Sequence, residues 1–262
     1  MITVLERIAN QTKIRLAETQ AALSAEDIKK AARAMNCLTG FPLEKALLSE
    51  DISFICECKK TSPSKGLIVP EYPYIKIAQE YEKAGAAAIS VLTEPKWFGG
   101  SSKHLKEIAE KAAIPCLRKD FVIDEYMIYE AKTLGAAAVL LICALQDTVT
   151  LRRYIALCDE LGLSALVEAH DETEIKSALR AGARIIGVNN RNLKNLTVDI
   201  QNSVQLRKFV PKDIIFVAES GIKTREDIEI LQEANVNGVL IGETLMRASD
   251  KQSMLNILRG RQ

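Results

Sequence analysis

The chain has 262 residues, 48% of them apolar and 26% charged, and its formal net charge is +1. That balance is ordinary for a soluble globular protein and supplies no field that would draw nucleic acid or an acidic membrane, so neither is expected as a partner. No apolar run approaches the roughly 18 residues that a spanning helix needs, and Met1-Ile2-Thr3-Val4-Leu5-Glu6-Arg7 lacks a signal-peptide core, which points to a cytoplasmic protein.

Residues 1–48 read as a helical extension. Val4, Ile8, Leu16, Leu23, Ile28, Ala32 and Leu38 recur at helical spacings, and Ser24 followed by Asp27 marks a helix start. A rhythm then begins, with β-rich runs at 52–58, 87–92, 114–119, 137–142, 164–168, 184–189, 214–219 and 237–241. Helical patterns lie between and after them, near 71–84, 103–112, 124–134, 147–161, 171–181, 200–209, 224–234 and 243–248. Ala84-Gly85, Leu134-Gly135, Leu161-Gly162 and Ala181-Gly182 carry helix-stop signals. Eight strands alternating with eight helices imply parallel βαβ units. The fold class expected is α/β, a (β/α)8 TIM barrel, as one barrel domain over 1–262 with the extension packed on it. No Gly-x-Gly-x-x-Gly follows a strand, which argues against a dinucleotide-binding sheet.

Of the six cysteines, Cys56, Cys116 and Cys143 sit in apolar strand-like runs and Cys158 in a helical pattern. They read as small buried hydrophobes rather than disulfides. Cys56-x-Cys58 lacks zinc-finger spacing, and the two histidines, His104 and His170, are far apart. No metal site is expected. His170, just after a strand, fits a loop or helix-cap residue better than a substrate contact.

In such barrels the chemistry sits at the C-terminal strand ends, and here those ends are polar. Strand 1 ends Glu57-Cys58-Lys59, and Glu57 and Lys59 share one face while Cys56 and Cys58 take the other. Taken alone, that pair fits a structural ion pair as well as an acid–base pair. Strand 3 ends Arg118-Lys119-Asp120-Phe121, strand 5 Val167-Glu168 and strand 6 Asn189-Asn190-Arg191. Strand 7 ends Glu219-Ser220-Gly221 and strand 8 Gly242-Glu243. Six polar ends around one mouth converge on a common space. The last two occupy the usual phosphate position, where glycine lets backbone approach an anion. Glu243 would repel a phosphate unless its side chain turns away.

Glu57-Cys58-Lys59-Lys60-x-Ser62-Pro63-Ser64 resembles the signature of indole-3-glycerol phosphate synthases. The likeness continues in order through Leu92-Thr93-Glu94, Leu117-Arg118-Lys119-Asp120-Phe121, Leu166-Val167-Glu168, Gly187-Val188-Asn189-Asn190-Arg191-Asn192-Leu193 and Ala218-Glu219-Ser220-Gly221-Ile222. It covers the barrel and the extension, although Phe41–Leu47 departs from the family's Arg-x-Phe pattern. The resemblance implies a carboxy-lyase of tryptophan biosynthesis. Its substrate is a phosphorylated small molecule, 1-(2-carboxyphenylamino)-1-deoxyribulose 5-phosphate, which undergoes ring closure and loses carbon dioxide and water.

That chemistry assigns roles. Lys119 is the natural general acid, Lys59 pairs with carboxylate or phosphate and can share the acid role, and Glu57 and Glu168 are base candidates that hold the lysines. Asn189 and Arg191 suit hydroxyl or carboxylate groups. Glu219 borders the substrate, Ser220, Gly221, Gly242 and Glu243 its phosphate, and Ser62 orients phosphate or loop. Phe98 and Phe121 would wall the aryl ring from opposite sides, whereas Trp97 fits simple loop packing equally well. No cofactor is needed, and a monomer suffices. The nearest enzyme alternative is a Schiff-base aldolase with Lys119 as nucleophile; a non-catalytic phosphate-binding barrel would be expected to lack the acid–base residues.

Overall fold

A computed structural model describes residues 3–192 and 197–261; Leu193 of the Asn-Asn-Arg run lies outside the described residues. Among the described residues, eight parallel strands form a closed barrel. They are β1 (Ser53–Cys58), β2 (Ala88–Leu92), β3 (Cys116–Lys119), β4 (Ala138–Ile142), β5 (Ser164–Ala169), β6 (Ile185–Asn189), β7 (Ile215–Glu219) and β8 (Gly238–Ile241). β1 pairs with both β2 and β8, which closes the sheet. Each strand begins and ends within two residues of its sequence-based bounds. β3 starts late because Pro115 has no N–H to give the ladder; its carbonyl still accepts from Ile89 N at 3.0 Å.

The inner core consists of alternating strand residues, among them Ile55, Leu117, Leu166, Ile185, Ile215 and Val217. The outer core lies between sheet and helices and takes the residues of opposite parity, such as Phe54, Cys56 and Cys58. Helices start where short polar side chains cap free N–H groups: Asp124, Asp147, Asp171 and Thr224 each accept from a first-turn amide. They stop at Gly85, Gly135, Gly162 and Gly182, all left-handed, as the sequence predicts. Two helices lie outside the expected rhythm. Pro95–Phe98 is a single turn too short to show a period. Lys251–Arg259 is a full helix, started by Asp250 and burying Leu255 and Leu258.

The extension grips the barrel at both ends. Helix α1 (Val4–Ala22) begins with a capping box between Thr3 and Glu6 and lies over the strand C-termini. There its Arg15 binds both oxygens of Asp120, at 2.8 and 2.9 Å, and the Thr93 carbonyl at 3.2 Å. Helix α2 (Ala25–Ala34) starts at Ser24, whose hydroxyl accepts from Asp27 N, and packs on the helix Glu125–Thr133. Helix α3 (Pro42–Leu47) closes the opposite end. Its Leu43 and Leu47 are fully buried in the inner core, and its Glu44 bonds Arg184 at 2.9 and 3.0 Å and Ser164 at 3.2 Å.

Leu47 fills the bottom of the barrel so closely that a side chain on Gly238 would meet its Cδ2 at 2.9 Å. Leu47→Ala should therefore leave a cavity and lower the unfolding free energy by about 2–5 kcal/mol in denaturant titration. A change below about 1 kcal/mol would show that α3 is not a structural plug.

Candidate active site

Strand parity aims the polar ends inward. Glu57 and Lys59 continue the row that begins with Ile55, Lys119 follows Leu117, Glu168 follows Leu166, and Glu219 follows Ile215 and Val217. Strand register then sets them level: Lys119 pairs with Leu92, Glu168 with Ile142, and Asn189 with Glu219. All of these ends open into one cavity of about 750 Å³.

Two lysines and three glutamates form the floor of this cavity. Lys59 Nζ lies 2.6 Å from Glu57 Oε1. Lys119 Nζ lies 3.4 Å from Glu168 Oε2 and 3.5 Å from Glu219 Oε2. Burial opposes the Lys119 ammonium, but Glu219, Glu168 and Glu57 outweigh it and raise its pKa above the ordinary lysine value. Burial also opposes the Glu168 carboxylate, yet Lys119, His170 and a hydrogen bond from Asn189 hold its pKa low, at about 2. Glu219 goes the other way, to about 7: burial is the main cause, Lys119 opposes it, and Glu168 and Glu57 add to the rise. Two carboxylates beside one ammonium are thus split into an ionised one and one that titrates near neutrality. The floor is tight. A Cβ on Gly187 would meet Glu219 Oε1 at 2.2 Å, and one on Gly242 would meet Glu57 Oε1 at 2.4 Å.

Arg191 lines the cavity beside Asn189, whose Oδ1 accepts from Arg191 N at 3.0 Å. Phe98 and Phe121 line it together with Ser62. Their ring centroids are 6.0 Å apart, a direct pair distance that leaves no room for a third ring between them. They form one aromatic patch rather than opposite walls. Phe98 is set by Glu94, whose carboxylate accepts from the amides of Lys96, Trp97 and Phe98. Trp97 itself does not line the cavity; its carbonyl accepts from Thr61 at 2.8 Å.

At the β7–β8 end, Ser220, Gly221, Gly242 and Glu243 border the same space. Ser220 has φ 68°, an uncommon conformation for a residue with a side chain. Asn190 Nδ2 pins its carbonyl at 3.0 Å. The Glu243 carboxylate is turned to Arg247, at 3.1 Å, and to Lys65, at 3.9 Å, so the helix start it occupies does not present a bare negative charge.

Several features of the site were not read from the sequence. Val4, Leu5 and Ile8 of α1 form part of its wall, and Lys65, Lys223 and Arg247 bring positive charge to its rim. Nothing in a helical period says which end of a barrel the helix will cover. His170 stands behind Glu168, with Nε2 3.3 Å from Glu168 Oε1. Burial raises the Cys116 and Cys143 thiols to about 12, so neither offers a thiolate. Among the described residues, no group of three or more His, Cys, Asp and Glu is placed to hold a metal ion, and no helix is long and apolar enough to cross a membrane.

The chain is similar to known proteins over nearly its whole length. The family model described as indole-3-glycerol phosphate synthase matches residues 5–258. A relative of that description from Ruminiclostridium cellulolyticum is 55% identical over 257 residues, spanning 98% of this chain and 99% of its own. Another, from Lachnoclostridium phytofermentans, is 49% identical over 267 residues and 98% of both chains. Among solved structures, a 3-hexulose-6-phosphate synthase covers 80% of this chain and 99% of its own at TM-score 0.65 and 13% identity. A thiamine phosphate pyrophosphorylase from Pyrococcus furiosus covers 80% and 94% at TM-score 0.59 and 16% identity. At such identities these two establish the barrel fold alone.

The raised pKa of Glu219 has a consequence for stability. The folded carboxyl holds its proton up to about pH 7, against an ordinary value of 4.5. The stabilisation linked to that proton is complete below the ordinary value and is lost as pH rises through about 7. Glu219→Gln cannot ionise, so its melting temperature relative to wild type should climb between about pH 5 and pH 8. Parallel melting curves across that range would show that Glu219 does not titrate there.

Proposed function

Because this chain belongs to the indole-3-glycerol phosphate synthase family, we propose that its barrel mouth closes the indole ring of 1-(2-carboxyphenylamino)-1-deoxyribulose 5-phosphate, releasing carbon dioxide and water. The observation that carries this reading is the Lys119 ammonium held between Glu168 and Glu219 in an aromatic-lined cavity.

Ring closure needs a proton at the ketone oxygen as the aryl carbon attacks the carbonyl carbon. Lys119 supplies it, because its carboxylate neighbours keep it charged. Loss of carbon dioxide restores the aromatic ring. Dehydration then needs an acid for the departing hydroxyl and a base for the proton left on the new ring. Glu168 stays ionised and is the first base candidate; Glu57 is the second. Lys59, ion-paired with Glu57, faces the substrate carboxylate or phosphate and can share the acid role. Asn189 and Arg191 take hydroxyl or carboxylate groups, and Glu219 borders the reacting atoms. Phe98 and Phe121 offer the aryl ring a single apolar face. The phosphate goes to Ser220, Gly221, Gly242 and the backbone of Glu243, with Ser62 and Lys65 from the β1 loop nearby. Five of the six unpaired cysteines are buried, which accords with a reducing, cytoplasmic setting.

The aldolase alternative requires a neutral Lys119 amine. The acidic neighbours that stabilise the ammonium make that form scarce, which favours the acid role.

The direct test is incubation with the anthranilate-derived ribulose phosphate while monitoring indole fluorescence; failure to form the indole product would refute the reading. Lys119→Ala should lower kcat by about 10²–10⁴ and leave KM within about tenfold. A variant that keeps more than about half of wild-type turnover would exclude Lys119 as the acid.

A further inference from the structure

His170 does no chemistry in the account above, and it does not line the cavity. Each of its ring nitrogens nevertheless faces a carboxylate. Nε2 lies 3.3 Å from Glu168 Oε1 and Nδ1 lies 3.0 Å from Glu174 Oε2. Nδ1 is hydrogen-bonded to Glu174, Nε2 approaches Glu168 at ion-pair distance, and two flanking carboxylates favour the imidazolium form. The ring is also held in place. Glu174 Oε2 accepts from the His170 amide at 2.8 Å, and Glu174 N donates to the capping residue Asp171 at 2.9 Å. The start of the helix Glu172–Ala181 thereby fixes the direction in which the imidazole points.

We propose that His170 is a positioning residue for the reaction: an imidazolium bridging Glu168 and Glu174 that keeps the Glu168 carboxylate ionised and its second oxygen turned to Lys119. The proposal rests on the reading of Glu168 as a base. Glu168 is then bracketed, with Lys119 3.4 Å from one oxygen and His170 3.3 Å from the other. Asp171 caps the helix that follows His170, and Glu174 stands in its first turn. Cys143, from the turn after β4, donates to the Glu174 carbonyl at 3.6 Å and remains a neutral thiol. Behind Glu168 stand Lys119 of β3 and Asn189 of β6. Burial opposes the His170 cation, but Glu168 and Glu174 overcome it and carry its pKa to about 10. The pair reaches the surface, with side-chain exposures of 18% for His170 and 21% for Glu174, so the bridge spans from solvent to the base.

The test uses the full-length enzyme with His170→Gln, Glu174→Gln, Glu168→Gln and the Glu168→Gln/His170→Gln double variant. Removing the cation should raise the Glu168 pKa. His170→Gln is expected to lower kcat about tenfold or more with KM within about threefold, and to move the acid limb of the kcat–pH profile to higher pH by about one unit. Glu174→Gln should move it in the same direction by less. In the Glu168→Gln background, His170→Gln should change kcat by less than about twofold, because its effect runs through that carboxylate. A loss of kcat with an unmoved acid limb, or full multiplicative loss in the double variant, would reduce His170 to a structural cap. If Glu168→Gln itself keeps more than about half of wild-type kcat, it is the base reading that has failed. One measurement is independent of both catalysis and variant folding. Nitrogen NMR of the wild-type ring at about pH 8 should show both nitrogens protonated, and a neutral ring there would overturn the bridge.

Discussion

A lysine ammonium surrounded by carboxylates at the mouth of a closed barrel is the constraint on which the other features depend. A buried charge without compensation costs several kcal/mol, so Lys119 needs Glu168 and Glu219 within ion-pair reach. Once those carboxylates are there, the backbone around them has little freedom. Position 187 must lack a side chain for Glu219 to fit, and position 242 must lack one for Glu57 and Lys59. Register matters for the same reason: a slip of one residue in β3 would turn Lys119 out toward the helices and bring Arg118 inward.

The outward neighbours of Lys119 bear this out. Arg118 is almost fully buried behind the barrel wall, where it binds Glu130 at 2.6 Å and the Met127 carbonyl at 2.7 Å. Asp120 is shared by Arg118, Thr93 and Arg15. One residue of β3 thus faces the cavity while its two neighbours tie the strand end to the helical layer and to α1. The extension takes part at both ends, with α1 contributing to the cavity wall and α3 sealing the bottom.

Much of this was legible in the sequence. Alternation alone places Glu57 and Lys59 on one face and Cys56 and Cys58 on the other, because a strand has a period of two whatever surrounds it. The six polar strand ends could be read as convergent because a parallel barrel leaves them nowhere else to go. What was not legible depends on distances between elements. Phe98 and Phe121 come from different loops, and only the turn capped by Glu94 brings them into contact. Trp97, next to Phe98, faces elsewhere because successive residues of that turn point in different directions. The approach of His170 to Glu168 follows strand parity and could have been anticipated. The bond to Glu174 depends on where the next helix starts. The reach of α1 over the mouth is set by Arg15 meeting Asp120, 105 residues away in the chain.

The central claim is that the carboxylates and lysines act as one charge cluster rather than as separate groups. The most direct measurement compares kcat/KM and its pH profile for Glu57→Gln, Glu168→Gln and the double variant. A shared cluster predicts that each single change lowers activity by more than about tenfold and shifts the profile, and that the double variant loses less than the product of the two. Strictly multiplicative losses with an unchanged pH profile would mean two independent carboxylates, and would contradict the account.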